Sequence, residues 1–307
     1  VEHIALKYSH PSWLVKRWLE EFGLEVTIAI CKADNEPAPN TIRTNTLKTS
    51  RDELVTRLSW EGVTAVKTDL APEGLYIEGF LSLGSLESFR EGLFQVQDES
   101  SMLAGRALSP LAGSLVIDAC SAPGGKTTHL AQLMRNNGEI RAFDIHPHKL
   151  DLLKENCLRL GIDIVQADIR DARKLPEEYI EQADFVLVDA PCSGLGVLRR
   201  RPDARWRKDP AEIPALVQLQ GEILASAARC VKKGGVLLYS TCTVTREENL
   251  GQVEDFLSRH PWFVLEDLTP FLPETADRRG TMPKGYLQFY PGENRMDGFF
   301  IARMRKR

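Results

Sequence analysis

The 307-residue chain is 43% hydrophobic and 27% charged, a balance that excludes a disordered or fibrous protein and predicts two domains with buried cores. Its formal net charge of −4 excludes an indiscriminate polycation, and no apolar run approaches the roughly 18 residues that a membrane span needs. Six scattered cysteines with no C-x-x-C pair exclude a zinc signature and a disulfide framework, so free thiols and no metal are expected.

Val1 in place of methionine predicts a start inside a longer product. The absence of a membrane-length apolar run and of a charged-then-apolar leader predicts a cytoplasmic protein without a membrane partner, and a monomer is expected. From Pro11 to Phe22, the apolar residues Trp13, Trp18, Leu19 and Phe22 alternate with Lys16, Arg17 and Glu20, predicting a short amphipathic helix. Residues 33–40, with Pro37 and Pro39, read as a linker, so residues 1–35 form an N-terminal helical linker segment. Short β-branched or apolar runs follow at Thr41–Asn45, Val63–Lys67, Leu75–Ile77 and Leu93–Gln97. A capping box at Ser50-x-x-Glu53 opens a helix between the first two. Residues 36–108 are therefore expected to be a small α+β domain of the β-α-β-β-α-β kind.

From residue 109 to 307 the pattern changes to strands rich in Val, Ile and Leu alternating with longer helices, which predicts a mostly parallel sheet covered on both faces. Seven strands are expected: Leu115–Asp118, Ile140–Asp144, Ile162–Gln166, Phe185–Asp189, Val236–Tyr239, Phe263–Glu266 and Gly298–Met304. The helical stripes are Leu150, Leu153, Cys157 and Leu158, and Ile213, Leu216, Ile223, Leu224 and Ala227.

The first strand runs into Asp118-Ala-Cys-Ser-Ala-Pro-Gly-Gly-Lys-Thr-Thr, a glycine-containing turn that opens a helix. In an open α/β sheet this turn receives a nucleoside-containing ligand. A phosphate-binding P-loop is disfavoured because the position five residues before Gly125 is Cys120, where that motif needs glycine. Asp144, Asp168 and Asp189 close the next strands at the same edge, and a carboxylate at Asp144 suits two ribose hydroxyls. The pattern outlines a pocket for S-adenosylmethionine.

Two cysteines emerge at that edge, Cys192 in Asp189-Ala-Pro-Cys-Ser-Gly and Cys242 in Ser240-Thr-Cys-Thr. Thr245-x-x-Glu248 reads as a second capping box, whose helix would favour a Cys242 thiolate. Carbon 5 of cytosine is too electron-poor to take a methyl group directly. A thiol that first adds at carbon 6 makes it nucleophilic, and a second acid/base group must then help release the product. Asp189 is placed to neutralise charge at ring nitrogen 3.

Together with Tyr8-Ser-His-Pro-Ser-Trp-Leu, Ile42-Arg-Thr-Asn, Phe94-Gln-Val-Gln-Asp-Glu-Ser, Arg199-Arg-Arg-Pro-Asp and Asp297-Gly-Phe-Phe, these motifs make nearly the whole chain resemble the RsmB/Sun-type RNA 5-methylcytosine methyltransferases. The resemblance implies a Rossmann-like class I methyltransferase domain preceded by the small domain. It implies donor binding by Cys120, Ser121, Ala122, Pro123, Gly124, Gly125, Lys126, Asp144, Asp168 and Asp189. Cys242 would be the nucleophile and Cys192 would assist release, with RNA, small-subunit ribosomal RNA in particular, as substrate. An upstream helical domain resembling an antitermination factor is expected to be missing, and Ser121 stands where the family more often has alanine.

Arg199–Lys208 holds six basic residues and one acid, a local +5, and the tail Arg303–Arg307 is also basic. Arg199, Arg200 and Arg201 are accordingly expected to contact phosphate while the small domain helps place the RNA. Two alternatives remain: a DNA cytosine methyltransferase, in which the Pro-Cys cysteine would attack, and a non-catalytic RNA-binding factor on the same fold. The Thr-Cys-Thr cysteine and the lack of a long target-reading insertion weigh against the first, and the paired cysteines against the second.

Overall fold

A computed structural model describes residues 1–307. Two helices open the chain, α1 (Glu2–Tyr8) and α2 (Ser12–Ala33). The second runs well past the expected end at Phe22, because Gly23 takes φ 76°, a left-handed value that glycine adopts freely, and the chain resumes its helical course to bury Thr27, Ile30 and Cys31. The connecting loop therefore starts only at Asp34.

Next come β1 (Thr41–Thr44), α3 (Arg51–Trp60), β2 (Thr64–Lys67), β3 (Gly74–Glu78), α4 (Glu87–Arg90) and β4 (Phe94–Val96). They make an antiparallel sheet of order β2-β3-β1-β4, the arrangement a β-α-β-β-α-β chain yields when its two halves interleave. The Ser50 capping box forms as expected, with Glu53 N–H donating to Ser50 Oγ at 3.2 Å.

After α5 (Glu99–Leu108), the second sheet is built from β5 (Leu115–Asp118), α6 (Gly125–Leu133), β6 (Glu139–Asp144), α7 (Pro147–Leu160), β7 (Val165–Ile169), β8 (Ala183–Asp189), α8 (Ile213–Cys230) and β9 (Val231–Thr241). It is completed by α9 (Leu250–Arg259), β10 (Phe263–Leu265), β11 (Tyr286–Phe289) and β12 (Phe299–Lys306). The order is β10-β12-β9-β8-β5-β6-β7, with β11 on β12. Strands β7, β6, β5, β8 and β9 run parallel. The sheet has eight strands rather than seven. The extra one, β11, buries only Leu287 and Phe289, and so short an alternation is a weak signal in sequence.

Adjacent residues of the central strands point to opposite faces, and both faces are dry. Val116, Leu187 and Leu238 meet α5, α6 and α7, while Ile117, Val186 and Leu237 meet α8 and α9. The third parallel strand starts three residues later than expected, since Ile162 caps α7: its N–H donates to Cys157 O across Gly161, which has φ 74°. Leu158 is exposed and Leu160 fills its place in the stripe. No helix is long and apolar enough to cross a membrane.

The N-terminal helices belong to the body of the fold. Leu14, Val15, Trp18 and Ile30 pack with Leu195, Leu198 and Val244, which lie in the loops after β8 and β9. Arg43 on β1 joins the two sheets. Buried completely, it donates to Gln132 Oε1 at 3.1 Å, Thr128 Oγ1 at 2.9 Å and Gly125 O at 2.7 Å, all on α6, and it also bonds Gln97. Replacing it with an apolar residue leaves these acceptors buried and unmet. Arg43→Met should cost about 3 kcal/mol of stability or more, read as a lower midpoint in urea unfolding.

Candidate active site

The parallel strands reverse their order of addition between β5 and β8, and a crevice opens at their carboxyl ends there. The turn after β5 is pinned to the neighbouring strand: Ser121 N–H and Oγ both donate to Phe143 O, at 2.9 and 3.1 Å. Ala122 N–H donates to Asp144 Oδ2 at 3.3 Å. Gly124, with φ 101°, brings the backbone against Leu153 and starts α6. Behind the turn, Asp118 is fully buried and accepts Thr127 Oγ1 at 2.7 Å, and desolvation pushes its carboxyl up to about 7.

The crevice is a cavity of about 520 Å³. Cys120, Ala122, Asp144, Asp189, Cys192 and Cys242 line it, which brings six of the expected site residues together. Ser121, Gly124 and Gly125 shape its wall from behind, and Pro123 is exposed. Asp168 is exposed on β7 and does not line the cavity, whereas Asp171, just beyond the strand, does. Lys126 is not among the lining residues but backs one of them, its Nζ donating to Asp189 Oδ2 at 2.8 Å and standing 5.0 Å from the centre of the Phe299 ring. Ser240 Oγ donates to the other oxygen of Asp189 at 2.8 Å. An adenosyl ligand fits these residues: Asp144 offers a carboxylate, Ala122 and Ile145 give apolar surface, and the glycine turn allows close backbone approach.

The two thiols both line the cavity, with Sγ atoms 3.4 Å apart. The Cys192 thiol, as donor, pulls the Cys242 thiol below its ordinary range, and the Lys126 ammonium adds to this against burial and Asp189. Cys192 is pushed well above its range by the same hydrogen bond, by burial and by Glu248. Of the two, Cys242 is therefore the readier thiolate.

The helix dipole expected to help Cys242 is not in place. Helix α9 begins only at Leu250, and Thr245 and Glu248 form no capping box. Glu248 is instead wholly buried and accepts from Ser193 N–H at 2.8 Å, Ser193 Oγ at 2.5 Å, Gln220 Nε2 at 3.0 Å and Thr245 Oγ1 at 2.5 Å. This carboxylate ties the Cys192 loop to the Cys242 loop, a role that the Thr-x-x-Glu pattern concealed. The loops also meet at Gly196, whose N–H donates to Cys242 O at 3.0 Å and whose carbonyl accepts Gly298 N–H at 2.8 Å. A Cβ on Gly196 would lie 2.2 Å from Gly298 O.

The arginine expectation needs correction. Arg199 is buried, donating to Asp297 Oδ1 at 2.6 Å and Arg295 O at 2.6 Å, so its guanidinium is spent inside the fold. Arg200 pairs with Asp297 and with Asp98 Oδ2, the latter at 2.7 Å. Only Arg201 of the three is exposed and without an internal partner. In the tail, Arg303 and Arg305 pair with Glu266 and Lys306 pairs with Glu181.

A doubly wound sheet of this order, with a nucleoside-sized cavity at its switch point and chemistry-bearing loops around it, defines a Rossmann-like S-adenosylmethionine-dependent methyltransferase. Residues 106–305 match the family described as 16S rRNA methyltransferase RsmB/F, and residues 10–83 match the ferredoxin-like domain of RsmF/B-like methyltransferases. The chain belongs to the RsmB/F family. It is 43% identical over its whole length to a probable ribosomal RNA small subunit methyltransferase B of Bacillus subtilis, of which it spans 68%. Among solved structures, NSun6 of Pyrococcus horikoshii, crystallised with SFG, superposes with TM-score 0.87 at 30% identity, covering 96% of this chain and 98% of that one. A methyltransferase homologue from the same organism gives 0.85 at 32% identity, covering 99% and 98%.

Two outcomes follow. Both the Cys192 donor and the Lys126 ammonium favour the Cys242 thiolate, so Cys192→Ala and Lys126→Gln should each move the pH dependence of Cys242 alkylation upward, measured by iodoacetamide labelling and mass spectrometry. Gly196→Ala can only push backbone. It should lower methyl transfer by about a hundredfold while urea unfolding stays cooperative, since displacements near 1 Å carry penalties of that order.

Proposed function

We propose that this chain methylates carbon 5 of a cytosine in small-subunit ribosomal RNA through a transient bond between Cys242 and carbon 6. The observation that carries the reading is the pair of thiols in contact with each other and lining the donor cavity. The target base must be unpaired or turned out of a helix to reach them.

The Cys242 thiolate adds to carbon 6, and the ring's electron pair moves toward carbon 5 and nitrogen 3. Asp189, held by Lys126 and Ser240, faces the nitrogen side and passes a proton to nitrogen 3 as negative charge develops there, recovering it when the ring double bond reforms. S-adenosylmethionine, when bound along Cys120 to Lys126 and Asp144, supplies an electrophilic methyl group. Once carbon 5 carries the methyl group, its proton must leave. Cys192, having lost its own proton to solvent after Cys242 is bonded to carbon 6, accepts it as the thiolate, the carbon 5–carbon 6 double bond reforms, and the bond to Cys242 breaks with return of the Cys242 thiolate. Asp171, just beyond β7, is the remaining cavity acid for an adenosyl group to engage.

Labelled S-adenosylmethionine with small-subunit ribosomal RNA tests the scheme. Cys242→Ala should transfer no label, and Cys192→Ala should accumulate a protein–RNA adduct stable to denaturing electrophoresis. Label transfer by Cys242→Ala equal to that of the wild type would remove the nucleophile from this position.

A further inference from the structure

The short helical turn Pro202–Trp206 is fixed from the inside. Arg205 is buried, donating to Asp34 O at 2.7 Å, Asn35 Oδ1 at 2.8 Å and Ser9 O at 3.2 Å, and Ala204 packs against the N-terminal helices. Trp206, at the end of this anchored turn, is nevertheless 62% exposed. A large ring held outward on a rigid base offers stacking area without an ordering cost.

Its surroundings are basic. Arg201 and Lys208 have no internal hydrogen-bond partner through their side chains, and Arg207 is largely exposed and touches only Asp203 Oδ2, at 3.0 Å. Lys208 also lines a small crevice with Ser193, the residue after Cys192, and with the carboxylates of Asp209 and Glu212, so the patch adjoins the thiol loop on a side that carries acids as well. Trp60 is exposed too, but Arg57, the cation one turn before it, is engaged by Glu61, Glu87 and Glu91. An aromatic face among unpaired cations fits unpaired nucleic acid, in which bases stack while phosphates are neutralised.

We infer that Trp206, with Arg201 and Lys208, holds a single-stranded RNA segment flanking the target base, the ring stacking on one base and the two cations meeting its phosphates. This rests on the RNA methyltransferase reading and moves the phosphate contacts away from Arg199.

Binding of a short fluorescein-labelled single-stranded RNA, followed by anisotropy over a range of salt, tests it. Trp206→Ala should weaken binding about tenfold or more, and Trp206→Phe should restore most of the loss. Arg201→Gln and Lys208→Gln should each lower the salt slope by roughly one. Donor affinity by calorimetry serves as the control for folding and should not change in Trp206→Ala. RNA affinity of Trp206→Ala within twofold of wild type, alongside wild-type methyl transfer to ribosomal RNA, would overturn the stacking role and leave the methyltransferase reading standing. Failure of the wild type to bind RNA at all would overturn both.

Discussion

Three stretches of backbone converge on Gly196, and the chemistry of the site depends on how closely they do so. The loop after β8 donates there to the carbonyl of Cys242 and accepts from Gly298 at the entry to β12. No side chain larger than hydrogen fits between them. This contact, seconded by the buried Glu248 beneath both loops, brings residues fifty positions apart into sulfur–sulfur contact. Every other element of the site can be described by how it holds or faces that crossing.

The support extends to parts of the chain that look peripheral. The N-terminal helices seal the outer side of the cysteine loops through Trp18, and the small antiparallel sheet grips the donor helix through Arg43. Asn45 adds a second tie by donating to Leu160 O at 2.9 Å, and Arg159 reaches back to Phe94 O at 2.9 Å. The donor loop is thus bordered on one side by a unit with its own sheet and hydrophobic core, and strain in either is felt by both.

The sequence carried the parallel core well because its strands are continuous apolar runs between long helical stripes. The donor turn and both cysteines were equally legible, since each sits at a strand end, where topology alone decides which side it faces. Legibility failed where one residue type has two physical uses. Glu248 reads as a helix cap yet anchors two loops, and Arg199 reads as a surface cation yet pairs with Asp297 ninety-eight positions on. The true length of α2 was hidden by Gly23, which locally signals a stop. Such ambiguities are settled by tertiary partners, and those are distant in sequence.

The closeness of the two sulfurs has a temporal consequence. Two thiols at this separation titrate as a unit: the first proton departs with the help of the remaining one, and a second negative charge is opposed by the first. When the pair loses its first proton, the hydrogen bond between the sulfurs and burial both favour leaving the remaining one on Cys192. Any electrophilic carbon that bonds to the Cys242 sulfur consumes the negative charge there and removes its opposition to ionisation of Cys192, leaving burial and Glu248 as what still opposes it. The group that must receive a proton late in the cycle is in this way kept out of action early, and bond formation itself releases it.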